Sequence, residues 1–441
     1  MSFAGNYFKK YGFAEQQIEA LPNSDLELII TIPSFNELNL TETLNSLSVA
    51  DLPNCSVEVI VIINASENAT DEELTTNLSA FQQANEWYNE KKKYFSEKIR
   101  YYFLLFHNLP KKHAGVGLAR KIVMDEAVRR YDKINRPDGL IVCFDADAKC
   151  SKNYLTELHR FATQQPKMQA AALFYEHPIF GDEFSEEIYE NIAQYELYLR
   201  YYIQALRFVN FPFAFHTVGS SMCVRAVTYT KQGGMNRRQA GEDFYFLQKI
   251  IPHGGFAELN NLSVYPSPRA SNRVPFGTGA TMQQMLHDKQ TTYFTYQLEA
   301  FEMLGKFFAI VPDLFSVEKN EVEEFFISRK IDALTPLFQF LIENNYKEAF
   351  SEIKQNSSTK ESFQKRFFQW FHAFKVLKFL NFAHNSFFKK ETVVSQAILL
   401  LERKHIEKNV TNSKDLLLIF RELERNSMFN TKGLLVLGIG D

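Results

Sequence analysis

Two carboxylates, Asp145 and Asp147, close an apolar run that begins at Leu140. In an extended chain residues i and i+2 lie on one side. If the run is a strand, both acids therefore point into the same crevice. Paired hard oxygen donors suit Mg²⁺ or Mn²⁺, ions that keep part of their shell for water and substrate phosphate. Asp-x-Asp also occurs in ordinary turns, so the segments around it carry the argument.

Three further groups add chemistry. Gly115 and Gly117 precede a helix expected to start near Leu118, and flexible backbone at a helix N-terminus favours phosphate. Arg120 adds a fixed positive charge there. The other reading of the glycines is a tight turn onto a packed helix. Arg269 and Arg273 can grip a diphosphate or an anionic acceptor group bidentately, or serve as surface ion pairs. Gly241-Glu242-Asp243 stands before a helical run expected over 244–251, where acids either cap the helix or act on substrate.

The elements that must position these groups follow from periodicity. Leu26 to Ile32, Val57 to Ile63, Ile99 to Phe106 and Leu140 to Phe144 are apolar runs of strand length, and 170–174 adds another. Helical patterns fall between them at 40–47, 71–94 and 118–131, and 186–208 forms a long helix rich in Tyr and Leu. Strands alternating with helices argue for a mainly parallel, doubly wound α/β sheet. After about Gln290 glycine becomes scarce and helical periodicity takes over. The expected division is an α/β domain over 1–290 and a helical region over 291–441.

Composition bounds the classes. The 441 residues are 45% hydrophobic and 23% charged, with a net charge of -3. These are values of a globular protein, and no basic excess points to nucleic acid. There are 42 Phe and 20 Tyr, which imply a ring-rich core, aromatic clefts, or both. The four cysteines lack a spacing that suggests zinc or a disulfide framework, and Cys143 reads as a reduced core residue. No signal pattern opens the chain and no apolar run spans a bilayer, so a cytoplasmic protein is expected. Phe363, Phe367, Trp370, Phe371 and Phe374 follow helical spacing with basic residues between them. That stripe either packs inside the protein or touches a membrane peripherally.

Five segments in order resemble the family 2 glycosyltransferases of the GT-A fold, across roughly residues 25 to 255. They are Pro33-Ser34-Phe35-Asn36-Glu37, Val61 to Ser66, His113 to Arg120, Asp145-Ala146-Asp147, and Gly233-Gly234-Met235 followed by Gly241-Glu242-Asp243. The resemblance implies a Rossmann-like, mainly parallel sheet flanked by helices, here with an appended helical C-terminal region. It implies metal-dependent, inverting transfer of a sugar from a nucleotide-sugar donor to a hydroxyl acceptor, which is a glycan, small molecule or lipid-linked alcohol.

By the same resemblance, Pro33 and Phe35 flank the base, while Glu37 and Asn64 hydrogen-bond to base or ribose. The family often has Asp where this chain has Asn64. Arg120 meets the donor. Asp147 is the metal ligand, with Asp145 on the ribose or reaching the ion through water, and His287 is the candidate third ligand ahead of His216 and His253. Asp243, or Glu242, is the base that takes the acceptor proton. Ser220 and Ser221 shape the sugar and acceptor pocket. The family's Gln/Arg/Trp acceptor motif is not visible after Asp243. Two other readings of Asp-x-Asp stand beside this one. The first is a haloacid-dehalogenase-like phosphotransfer enzyme with Asp145 as nucleophile, and the second a non-catalytic nucleotide or carbohydrate binder.

Overall fold

The computed structural model describes residues 2–273, 277–332, 334–407 and 409–426. They form two compact units. Of the described residues, the first holds those through Tyr189, His216–Asp288 and 424–426; the second holds Glu190–Phe215 and Lys289–Leu423.

The first unit is built on one sheet of eight strands: β1 (Leu26–Ser34), β2 (Ser56–Ser66), β3 (Ile99–Leu109), β4 (Leu140–Cys143), β5 (Lys149–Cys150), β6 (Ala170–Tyr175), β7 (Met222–Arg225) and β8 (Phe256–Tyr265). Their spatial order is β3-β2-β1-β4-β7-β6-β8-β5. β1 pairs in parallel with β2 and β4, and β2 in parallel with β3. Ile29, Ile30 and Ile32, like Val59 to Ile63, are fully buried. Such unbroken apolar runs are what strands covered on both faces require.

The helices of this unit are α1 (Gly5–Tyr11), α2 (Leu40–Ser48), α3 (Asp71–Lys91), α4 (Val116–Lys133), α5 (Tyr154–Gln164), the start of α6 (Glu186–Phe208), α7 (Ala226–Lys231), α8 (Glu242–Leu247) and α9 (Thr278–His287). A capping box at Thr70 and Glu73 starts α3. The expected α/β architecture, a mainly parallel sheet with a helical C-terminal region, is the one observed.

Connectivity matters most for function. The chain runs outward from β1 to β2 to β3, then returns to place β4 on the opposite side of β1. Where the winding reverses, the carboxyl ends of β1 and β4 part and leave a crevice, the usual ligand position in open α/β sheets. Two details differ from expectation. β7 enters antiparallel between β4 and β6, a four-residue strand too short to show alternation. The helix expected over 244–251 stops at Leu247, and a single 3₁₀ turn, Ile251–His253, follows around Pro252, whose ring cannot continue an α-helix interior.

The second unit contains most of α6 and the helices from Leu298–Leu314 to Ser413–Asn426, the last of which ends outside it. Aromatic rings fill its core. Phe307 meets Phe326, Phe367 and Phe371 edge to face, and Phe367 stacks on Phe371. Phe363, Phe367 and Phe371 are therefore buried rather than presented to a membrane. Lys375 Nζ lies 3.8 Å over the Trp370 ring. No helix of the described residues is long and apolar enough to cross a membrane.

Candidate functional site

The turn after β1 opens the crevice. Asn36 takes a left-handed conformation, φ 49°, which Asn tolerates better than most residues. Asn77 on α3 holds that turn. Its Oδ1 accepts from the Asn36 N–H at 2.9 Å, and its Nδ2 donates to the Asn64 carbonyl at 2.9 Å. The ends of β1 and β2 are thus fixed to one side chain. Pro33, Ser34 and Asn64 are buried and Phe35 half-buried.

Glu37 is fully buried and surrounded by donors. Its carboxylate accepts from the Asn39 N–H, from both terminal nitrogens of Arg269, and from Arg273 Nη1 at 3.0 Å. Burial opposes its ionisation, but the hydrogen bonds and charge of Arg269, then Asn39 and Arg273, outweigh it and hold the carboxyl below its ordinary value. The same arginines reach the end of β4. Asp147 Oδ2 accepts from Arg269 Nη2 at 2.9 Å and Arg273 Nη2 at 3.4 Å. Arg273 Nη1 also donates to the Phe35 carbonyl at 3.1 Å. Burial raises the Asp147 carboxyl, partly offset by Arg269.

A second junction lies beside the first. Arg120, from the first turns of α4, is 3% exposed. Its Nη2 contacts Asp145 Oδ1 at 2.5 Å and its Nε donates to Glu242 Oε1 at 2.8 Å. Gly241, with φ 68°, turns the chain into α8, so Glu242 and Asp243 open that helix. Asp243 Oδ1 accepts from the Phe244 N–H at 2.7 Å. Burial and the neighbouring Glu242 charge push the Asp243 carboxyl up to about 7. The segment before Ser220 passes close above: a Cβ on Gly219 would stand 2.7 Å from Arg120 Nη2 and 3.1 Å from Asp243 Oδ2. Ser220 and Ser221 are buried, with hydroxyls 3.3 Å apart.

Contacts thus tie Glu37, Asp147, Arg269 and Arg273 into one group and Arg120, Asp145 and Glu242 into another, with Asp145 two residues from Asp147 and Asp243 next to Glu242. Two buried guanidinium nitrogens, Arg120 Nη1 and Arg269 Nε, have no hydrogen-bond partner among the described residues. Leaving such donors unmet costs about 1–3 kcal/mol each. Asp145 Oδ2 and Asp147 Oδ1 accept no hydrogen bond among the described residues. Two open carboxylate oxygens at one strand end fit a Mg²⁺ or Mn²⁺ ion that completes its shell with phosphate and water.

Other expected residues stand elsewhere. His287 is 81% exposed and its Nδ1 lies 2.8 Å from its neighbour Asp288. His216 is engaged by Glu424 and Tyr175. Among the described residues the one trio able to converge on a metal is Glu27, Cys55 and His159, so Asp145, Asp147 and His287 do not form a ready-made ligand set. Gly115 and Gly117 serve close packing. A Cβ at 117 would stand 2.2 Å from the Arg238 carbonyl oxygen, and one at 115 would stand 3.0 Å from Gln239 Cα. Pro275 and Phe276 lie outside the described residues. Sequence reasoning missed Gly219 and Asn77, which carry no motif signal of their own.

No family model and no curated protein matches this chain. Among solved structures, S. aureus TarS 1-349 in complex with UDP-GlcNAc aligns at 15% identity and TM-score 0.38, over 78% of this chain and 91% of that one. A mannosyltransferase, PcManGT from Pyrobaculum calidifontis in complex with GDP-Man and Mn²⁺, aligns at 16% identity and TM-score 0.32, over 58% and 60%. Two other TarS crystal structures align over 60% and 37% of their own length, at 16% identity and TM-scores of 0.36 and 0.35.

Proposed function

We propose that this chain is a glycosyltransferase that moves a sugar from a nucleotide-sugar donor to a hydroxyl acceptor with inversion. The observation that carries the reading is that Arg120 joins Asp145, two residues before Asp147, to Glu242, the neighbour of Asp243, at the sheet's reversal point. Unpartnered guanidinium N–H groups in the same cluster favour an anionic ligand. A carboxyl raised to about 7 matches a general base, which must hold its proton loosely near working pH.

In this reading Phe35, Glu37 and Asn64 line the base and ribose side, and Arg120, Arg269 and Arg273 meet the diphosphate. Asp147, with Asp145, would hold Mg²⁺ or Mn²⁺, which supplies Lewis-acid neutralisation of the leaving diphosphate. Asp243 takes the proton from the acceptor hydroxyl as that oxygen attacks the anomeric carbon. The Arg120 clamp on Asp145 weighs against a phosphotransfer nucleophile there, because an ion-paired carboxylate is a restrained one.

A thermal-shift screen of nucleotide sugars with Mg²⁺ or Mn²⁺ tests the reading, since stabilisation scales with ligand concentration over Kd. One strong hit with release of free nucleoside diphosphate is expected. No shift with any donor, or a phosphoaspartate trapped at Asp145, would overturn it.

A further inference from the structure

Formal charge sets the problem. Five carboxylates (Glu37, Asp145, Asp147, Glu242, Asp243) share the crevice with three guanidinium groups (Arg120, Arg269, Arg273), an excess of negative charge before any donor arrives. A diphosphate adds more, so it enters poorly without a cation. Yet an ion arriving alone meets Asp147 already holding two guanidinium groups on one oxygen. These partners are not locked in place. Arg269 and Arg273 remain 27% and 23% exposed, against 3% for Arg120, and Arg269 keeps an unsatisfied Nε–H.

We propose that Arg269 and Arg273 are exchangeable counter-ions that suppress divalent-ion binding until a nucleoside diphosphate is present. Without donor they neutralise Asp147 and Glu37. When the diphosphate enters, their N–H groups transfer to phosphate oxygens, which are better bidentate partners than a shared carboxylate oxygen. Asp147 thereby loses the two positive charges on Oδ2 that oppose an ion at its open Oδ1. Donor and ion then bind interdependently, each raising the other's affinity by the same factor. This rests on the reading of the crevice as a diphosphate site.

Mn²⁺ binding followed by electron paramagnetic resonance, with no nucleotide added, tests the exchange directly. The parent should bind Mn²⁺ weakly, and Arg269→Gln/Arg273→Gln should bind it at least about tenfold more tightly. Adding Asp147→Asn should abolish the gain. Because the double variant strands the buried Glu37 charge, Glu37→Gln/Arg269→Gln/Arg273→Gln provides a second test in which that carboxylate is neutralised too. Unchanged or weaker Mn²⁺ affinity in that folded triple variant overturns the proposal. A screen of UDP, GDP, ADP and CDP against the parent separates the two failures. If one binds with Mn²⁺ while arginine removal changes nothing, the exchange fails and the transferase reading stands. If none binds, the transferase reading fails, and a Mn²⁺ gain in the variants still supports arginine masking of Asp147.

Discussion

The two arginine junctions of the crevice use the same chemistry in different surroundings. Arg120 is buried against Glu242, which opens α8, and also reaches Asp145, 38% exposed just past β4. Arg269 and Arg273 bridge the β1 turn to Asp147 from a segment between β8 and α9, and both stay open to water. Desolvation separates them. The buried Arg120–Glu242 pair is costly to part because the survivor is left uncompensated. The contacts of Arg269 and Arg273 with part-exposed Asp147 are weakened by solvent and salt, even though Glu37 behind them is fully buried. In the proposed exchange the inner junction fixes geometry, and the outer one gives up its contacts with Asp147.

Three substitutions break or sharpen that contrast. Arg120→Ala should have the largest effect, destabilising the fold by about 3–5 kcal/mol in urea titration, because Glu242 is left buried and unpaired. A loss under 1 kcal/mol would place both junctions in one class.

Asp243→Asn, beside the inner junction, should keep nucleotide affinity and lose transfer by about 10²- to 10⁴-fold. In the parent, turnover should rise with pH through about 7 as the base form appears. Stability runs the other way. The folded carboxyl holds its proton above the unfolded value, so folding binds protons between about 4 and 7 and stability falls as pH rises through that window. Asp243→Asn should remove that fall, as read by melting temperature across pH. A pH-independent rate for the parent would exclude Asp243 as base.

Arg273→Gln should have the smallest effect on folding, below about 1 kcal/mol, since Arg269 still covers Glu37 and Asp147. A loss as large as that of Arg120→Ala would show the outer junction to be a fixed strut.

Much of the scaffold was legible because burial writes itself into periodicity. Continuous apolar runs located β1 to β4 and β6, and the 186–208 helix matches at both ends. β7 and β8 were not legible: one is four residues long, and the other is interrupted by Glu258, Asn260 and Asn261. Asp145, Asp147, Glu242 and Asp243 stood out by type and spacing. Their partners did not, because the contact of Glu37 with Arg269 spans 232 residues and obeys no local rule. The glycines misled for a related reason. Small residues before a helix look the same whether they admit a ligand or another stretch of backbone.

That last distinction reaches beyond the glycines themselves. The amino end of α4, with its partial positive charge, faces the chain's own 236–239 loop so closely that a single methyl group would not fit at Gly117. The space at that helix end is occupied by the loop that leads into Gly241 and Asp243. Under the proposed function a pyrophosphate would meet side-chain cations instead, and those, unlike a helix terminus, can be turned toward it or away.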